Sequence, residues 1–299
     1  MSFSLQGVIP AVWTPTDAGG TLLKGGLRKN IEAMIAAGVD SLLILGSTGE
    51  FIHLGIEQRK EVLEAALEFA GTTPVLVNIS DINPRNIAEL GRHAKKCGCA
   101  GVSLLAPWFY PLSEEDLVEF FVVAGTAVEL PLTLYNFHAM TGKRLTPGIV
   151  RQIGARIQLG GLKHSAGDLA EHKEFADVGR ELGFNVVTGW DTHLPEAMAL
   201  GAKGCVAGLA NVVPELIVKI YRSLAGGRHE EVHESARQMR RIGDIIGALE
   251  FPLNVAAAME ARGREVGAPK SIMSPQTRVR YNALRENMRA LLNEFGFAS

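Results

Sequence analysis

The strongest constraint on the fold of this chain is a rhythm: eight short apolar runs, each followed by a stretch with apolar residues at helical spacing. The runs fall at residues 7–13, 41–45, 74–79, 101–106, 131–135, 157–163, 185–188 and 204–207. They are rich in Val, Ile and Leu without strict alternation, the pattern of parallel strands covered by helices. Helices are expected at 27–37, 56–70, 84–96, 114–128, 147–153, 169–181 and 193–200. Gly38, Gly71 and Gly98 stand where the first three would end in a left-handed residue. Ser113 precedes Glu114, Glu115 and Asp116, an N-cap followed by acids that complement the helix dipole.

Eight β-then-α units leave two architectures, a closed TIM (β/α)8 barrel or a doubly wound open α/β sheet. An open sheet that binds a dinucleotide would carry Gly-x-Gly-x-x-Gly after its first strand. Thr14-Pro15-Thr16-Asp17-Ala18-Gly19-Gly20 does not match it. The eight units favour the barrel. Beyond Asn211 the rhythm gives way to helices alone, at 212–225, 229–249, 252–267 and 277–295. The expected organisation is a barrel over 1–225 and a C-terminal helical extension over 226–299 packed on it, with no linker between them and no repeat beyond the β/α unit.

Composition narrows the partners. Apolar residues make up 47% and charged residues 21%, as in soluble globular proteins. A net charge of −2 supplies no field that would attract nucleic acid or an anionic membrane. The N-terminal segment has no signal-peptide pattern, and the apolar runs are far too short to span a bilayer. Three cysteines, Cys97, Cys99 and Cys205, argue against a disulfide framework and fit a reducing cytoplasm. Cys97 and Cys99 read as small, partly buried residues at a helix end rather than as zinc ligands.

In a barrel, chemistry belongs at the C-terminal ends of the strands. Three ends stand out: Gly46-Ser47-Thr48-Gly49-Glu50, Tyr135-Asn136, and Gly160-Gly161-Leu162-Lys163-His164-Ser165. By period two, Leu159, Gly161 and Lys163 share a face, and Gly161 leaves room beneath the lysine. A neutral amine in a poorly solvated barrel mouth is the species that adds to a ketone. A lysine leaving the strand into solvent is equally open on these residues alone. Tyr135 is a candidate proton carrier, with a half-buried structural tyrosine as the plainer alternative. Ser47 and Thr48, between two glycines, suit a carboxylate or phosphate, or simply form a βα turn. His229-Glu230-Glu231-Val232-His233 fits His-Glu-x-x-His, but it stands in a charged stretch with no histidine downstream, and it reads as a solvated helix face.

Together these strand ends resemble the dihydrodipicolinate synthase / N-acetylneuraminate lyase superfamily, from about Gly7 to Asn211 and more weakly beyond. The resemblance implies that Lys163 forms an imine with pyruvate or a 2-oxo acid. Tyr135 would be the proton shuttle, and Ser47, Thr48 and the adjoining Gly49 would hold the carboxylate. Gly189 and Asp191 fall where lyase members contact the sugar chain, with Ala207 at the end of strand eight. Synthase members carry an arginine five residues after the tyrosine, and here that position is Met140, which cannot pair a carboxylate. The stretches 108–111, 140–142 and 163–168 are closer to the N-acetylneuraminate lyase branch. Thr192 and Gly208 depart from it where an acid and a serine are expected. Phe109 occupies the place of an assisting tyrosine, with Tyr110 beside it as the candidate substitute. His138, His164, Ser165, Asp191 and Thr192 would face the hydroxyls of a sugar chain.

The implied activity is reversible aldol cleavage of a 2-keto-3-deoxy sugar acid to pyruvate and an aldehyde. The alternatives are a dihydrodipicolinate synthase or dehydratase using the same imine, and a catalytically inactive sugar-acid-binding protein. The resemblance implies no cofactor, no metal and a homotetramer.

Overall fold

A computed structural model describes residues 3–165 and 169–297, except for the side chain of His229. The element order is β1 (Gly7–Pro10), α1 (Lys24–Ala36), β2 (Leu42–Ile44), α2 (Ile56–Ala70), β3 (Val75–Asn78), α3 (Pro84–Lys96), β4 (Gly101–Leu105), α4 (Glu114–Val128), β5 (Leu132–Asn136), α5 (His138–Thr141), α6 (Pro147–Gly154), β6 (Leu159–His164), α7 (Leu169–Leu182), β7 (Val186–Thr188), α8 (Leu194–Ala199), β8 (Gly204–Ala207) and α9 (Pro214–Ala225). Three further helices follow: α10 (Val232–Ile246), α11 (Leu253–Ala261) and α12 (Pro275–Glu294).

All eight strands are parallel and hydrogen-bonded in the order β1-β8-β7-β6-β5-β4-β3-β2. The ring closes through a bridge between Ala11 and Leu43, where Val12 N–H donates to the Leu43 carbonyl at 2.9 Å. The strands are buried along nearly their whole length. This explains their unbroken apolar character, since one face packs inside the barrel and the other under the helices. The TIM barrel is therefore the architecture. The caps follow the sequence signals: Ser113 accepts from Asp116 N–H, and Asn83 caps α3 ahead of Pro84.

Most boundaries shift by one to three residues, β1 for example ending at Pro10 rather than 13, and three helical ones carry a physical reason or consequence. Helix α1 begins at Lys24 rather than 27, because Gly25 and Gly26 are helical. A Cβ on Gly26 would lie 2.2 Å from Glu265 Cγ, so glycine there serves close packing. The expected helix over 252–267 stops at Ala261, and an irregular segment runs back alongside the β1–α1 loop. Its bonds are long-range: Trp13 Nε1 to Val266 O, Asn30 Nδ2 to Glu265 O, and Ala268 N to Thr16 O. The stretch read as one helix over 229–249 is a 3-10 turn, His229–Glu231, leading into α10. His233 is exposed there, and the side chain of His229 lies outside the described residues. One apolar cluster unites Val8, Trp13 and Cys205 of the barrel with residues of α9 to α12, so the helical extension shares a core with the barrel.

Candidate active site

Tyr135 and Lys163 are register partners on β5 and β6, at the strands' C-terminal ends. Both point inward and are buried, at 2% and 5% exposure, so the solvent-facing alternative for Lys163 does not hold. Lys163 Nζ lies 3.8 Å from the centroid of the Tyr135 ring, a cation–π contact. The Tyr135 hydroxyl is 3.5 Å from Ser47 Oγ. The space that Gly161 leaves is taken up by Leu5, whose Cδ2 a Cβ at 161 would meet at 2.5 Å.

The turn after β2 is shaped from both ends. Leu45 and Glu50 both have positive φ, 60° and 55°, a conformation that non-glycine residues adopt at a cost. The Leu45 carbonyl accepts from Asn78 Nδ2 at 2.9 Å, and Asn78 Oδ1 in turn accepts from Ser80 Oγ. Glu50 is buried against Lys270, whose Nζ also donates to Thr14 O at 2.6 Å. A Cβ on Gly49 would come within 2.8 Å of Val12 O, so this position admits only glycine. The result is a fixed turn that presents Thr48 to the cavity and Ser47 to Tyr135.

On the opposite wall, Gly189 N–H donates to His164 O at 2.7 Å. A Cβ at Gly189 would lie 2.9 Å from Lys163 Cε and 1.8 Å from Ser165 Oγ. The Ser165 hydroxyl and Asp191 Oδ1 are both buried with no hydrogen-bond partner among the described residues. Asp191 Oδ2 accepts from Leu209 N–H at 2.6 Å. Burial pushes the Asp191 carboxyl up to about 6, against the pull of the Leu209 N–H and the Lys163 charge.

These groups line a cavity of about 750 Å³ at the barrel mouth. Thr48, Tyr135, Lys163, Ser165, Gly189 and Asp191 belong to its wall, together with Thr192 and His193. Of the other expected residues, Gly49 shapes the turn behind Thr48, and Ala207 is buried at the end of β8 beneath Gly208. His138 and Tyr110 do not line the cavity. Tyr110 is 70% exposed and stacks edge-on against Phe109, itself 80% exposed. His164 is corrected: it sits on the outer face of β6, where Asn136, Glu171 and the Phe175 ring surround it, and cannot meet a substrate hydroxyl. Ala166, Gly167 and Asp168 lie outside the described residues.

The outer wall of the cavity was not anticipated. It comes from the helical extension: Arg240, Gly243 and Asp244 of α10, Gly247 capping its end, then Phe251 and Asn254. A Cβ on Gly243 would meet Thr192 Cγ2 at 2.7 Å, so α10 presses directly on the β7 loop. Gly243 and Gly247, one turn apart inside a helical pattern, were the signal that something approaches closely there. Arg240 is 3.7 Å from Glu196 and shares a helix face with Asp244. Met140 is 55% exposed and outside the cavity, and Arg144 is bound to Glu171 at 2.9 Å, so neither 140 nor 144 supplies a cation to the site.

Residues 4–292 match the model of the dihydrodipicolinate synthetase family. YagE of Escherichia coli K12, for which a 2-dehydro-3-deoxy-D-gluconate aldolase activity has been proposed, is 34% identical over 74% of both chains. Its crystal structure in complex with pyruvate superposes with a TM-score of 0.87, at 30% identity, over 96% of this chain and 98% of that one. A 4-hydroxy-tetrahydrodipicolinate synthase of Methanospirillum hungatei is 28% identical over 88% of this chain and 91% of its own. The match across nearly the whole length, with the barrel and the strand ends as described, places the chain in the dihydrodipicolinate synthetase family.

Proposed function

We propose that this chain is a lyase that cleaves a 2-keto-3-deoxy sugar acid reversibly to pyruvate and an aldehyde, through an imine on Lys163. The Lys163 amine adds to the C2 ketone and water leaves, giving the iminium. Tyr135, left as the phenolate after giving its proton to the departing water, accepts the C4 hydroxyl proton as the C3–C4 bond breaks. The bonding pair moves into the iminium to give an enamine, and the aldehyde departs. Protonation of the enamine at C3 and attack of water on the iminium release pyruvate and restore the amine. In this reading Ser47 and Thr48 hold the substrate carboxylate. Ser165, Gly189 and Asp191 border the bond that breaks. The iminium is itself the electron sink, so the scheme calls for no cofactor or metal. The same reading includes a homotetramer, with the exposed Phe109–Tyr110 pair as a candidate subunit contact.

The observation that carries the proposal is the amine of Lys163 stacked on Tyr135 at the floor of a cavity with a hydrogen-bonding outer wall. That wall sets Arg240 3.7 Å from Glu196 and carries the Asp244 carboxylate four residues on, so it is not a dedicated anion hole. Mixed donors and acceptors of this kind suit hydroxyl groups better than the second carboxylate a synthase must hold. The pyruvate complex of YagE supports the keto-acid end of the assignment. The test measures kcat/KM for cleavage of 2-keto-3-deoxy acids beside that for condensation of pyruvate with aspartate semialdehyde. Faster cleavage of at least one sugar acid is expected. Condensation faster by tenfold, about 1.4 kcal/mol of transition-state binding, would replace this assignment with a synthase.

A further inference from the structure

The outer wall of the barrel carries a second cluster of chemically active side chains, remote from the cavity lining. His93 in the last turn of α3 and Cys97, the residue that caps its C-terminus, are four residues apart and lie on the same side of the helix end. Glu64, on the neighbouring α2, leans across to them. His93 Nε2 lies 3.1 Å from Glu64 Oε1 and 3.5 Å from Cys97 Sγ, and all three donor atoms fall within 4.8 Å of one another. We propose that Glu64, His93 and Cys97 form a zinc site that staples α2 to α3.

The donor set is the argument. A thiolate, an imidazole and a carboxylate together match zinc, which takes mixed sulfur, nitrogen and oxygen ligands in a tetrahedron. With Zn–N near 2.05 Å, Zn–O near 2.1 Å and Zn–S near 2.3 Å, tetrahedral angles place N and O about 3.4 Å apart and N and S about 3.6 Å apart. The observed 3.1 and 3.5 Å are close to those edges. Closing the site therefore needs movement of only the Glu64 side chain, which is 60% exposed and free to adjust. A thiolate and a carboxylate bring two negative charges, which a divalent cation neutralises. The exposed side of Glu64 leaves the fourth position to water. Neighbouring Cys99 is buried in the apolar core and plays no part. The pattern was hidden in the sequence because Glu64 lies 29 residues before His93. Only the packing of α2 on α3 brings it to the pair.

The site is independent of the reaction proposed above, since none of its residues borders the cavity. The test uses the full-length, tag-free protein stripped of metal and titrated with Co2+. One equivalent should produce tetrahedral d–d absorption together with a thiolate-to-cobalt charge-transfer band, and Zn2+ should displace it and raise Tm. Cys97→Ser should abolish the charge-transfer band. His93→Ala and Glu64→Gln should each weaken binding at least about tenfold. Glu64→Gln alters an exposed side chain and cannot act by unfolding the protein. Zinc should also protect Cys97 from alkylation. Absence of the thiolate band at saturating Co2+, or a spectrum that survives Cys97→Ser or is bound as tightly by Glu64→Gln, overturns the proposal.

Discussion

Gly189→Ala probes the lysine's position with a single carbon. The added Cβ would lie 1.8 Å from Ser165 Oγ and 2.9 Å from both Ser165 Cβ and Lys163 Cε. The serine hydroxyl can swing aside, but carbon atoms need about 3.5 Å between them. The stem of Lys163 must therefore retreat by roughly 0.6 Å from the wall. A misplacement of about 1 Å at a reacting group costs about 10²-fold, so the expected loss in kcat for cleavage is about 10- to 100-fold, or about 1.4–2.7 kcal/mol. Overpacking should also cost about 1–3 kcal/mol of stability. The assay follows pyruvate release beside a thermal melt. Adding Ser165→Ala removes the hydroxyl clash but not the contact with Lys163 Cε, so the double variant should stay impaired. A Gly189→Ala enzyme with wild-type kcat and KM would refute the claim that this glycine exists to make room for the lysine.

Two further outcomes follow from buried charges. Lys270→Met strands Glu50, which is 2% exposed, and should destabilise the protein by about 3–5 kcal/mol in urea unfolding. Adding Glu50→Gln should recover part of that, and an additive double variant would contradict the pairing. For Asp191, the carboxyl is raised to about 6 from an ordinary 3.8. Between those values the native state keeps a proton that the unfolded chain has released, so this group's contribution to stability falls as pH rises from about 4 to 6. Asp191→Asn should flatten that slope in urea midpoints measured against pH, and an unchanged slope would show that the carboxyl titrates normally.

The strand ends were legible because period two fixes which side chains face inward. Lys163 turns in and His164 turns out, although the sequence reading had both serving the substrate. The turn at 46–50 could be recognised from its glycines, but its supports could not. Lys270 and Asn78 reach it across 220 and 33 residues of chain. The same limit explains the segment after Ala261, whose backbone is held by Trp13, Asn30 and Thr16 rather than by any local pattern. Helical periodicity in α10 announces a buried face without saying what it is buried against. Arg240 and Asp244 therefore went unnoticed until the fold placed them over the cavity. Tyr110 was chosen from its neighbour's identity alone, and the positive φ of 85° at Phe109 turns both rings to the surface of this chain.

The central claim is that Lys163 is the nucleophile. Treating the protein with pyruvate and borohydride, then mapping peptides by mass, tests it directly. The account predicts one reduced pyruvyl group per chain, carried on Lys163 and lost in Lys163→Ala. Labelling of a different lysine, or no labelling with pyruvate or any other 2-oxo acid, would contradict it.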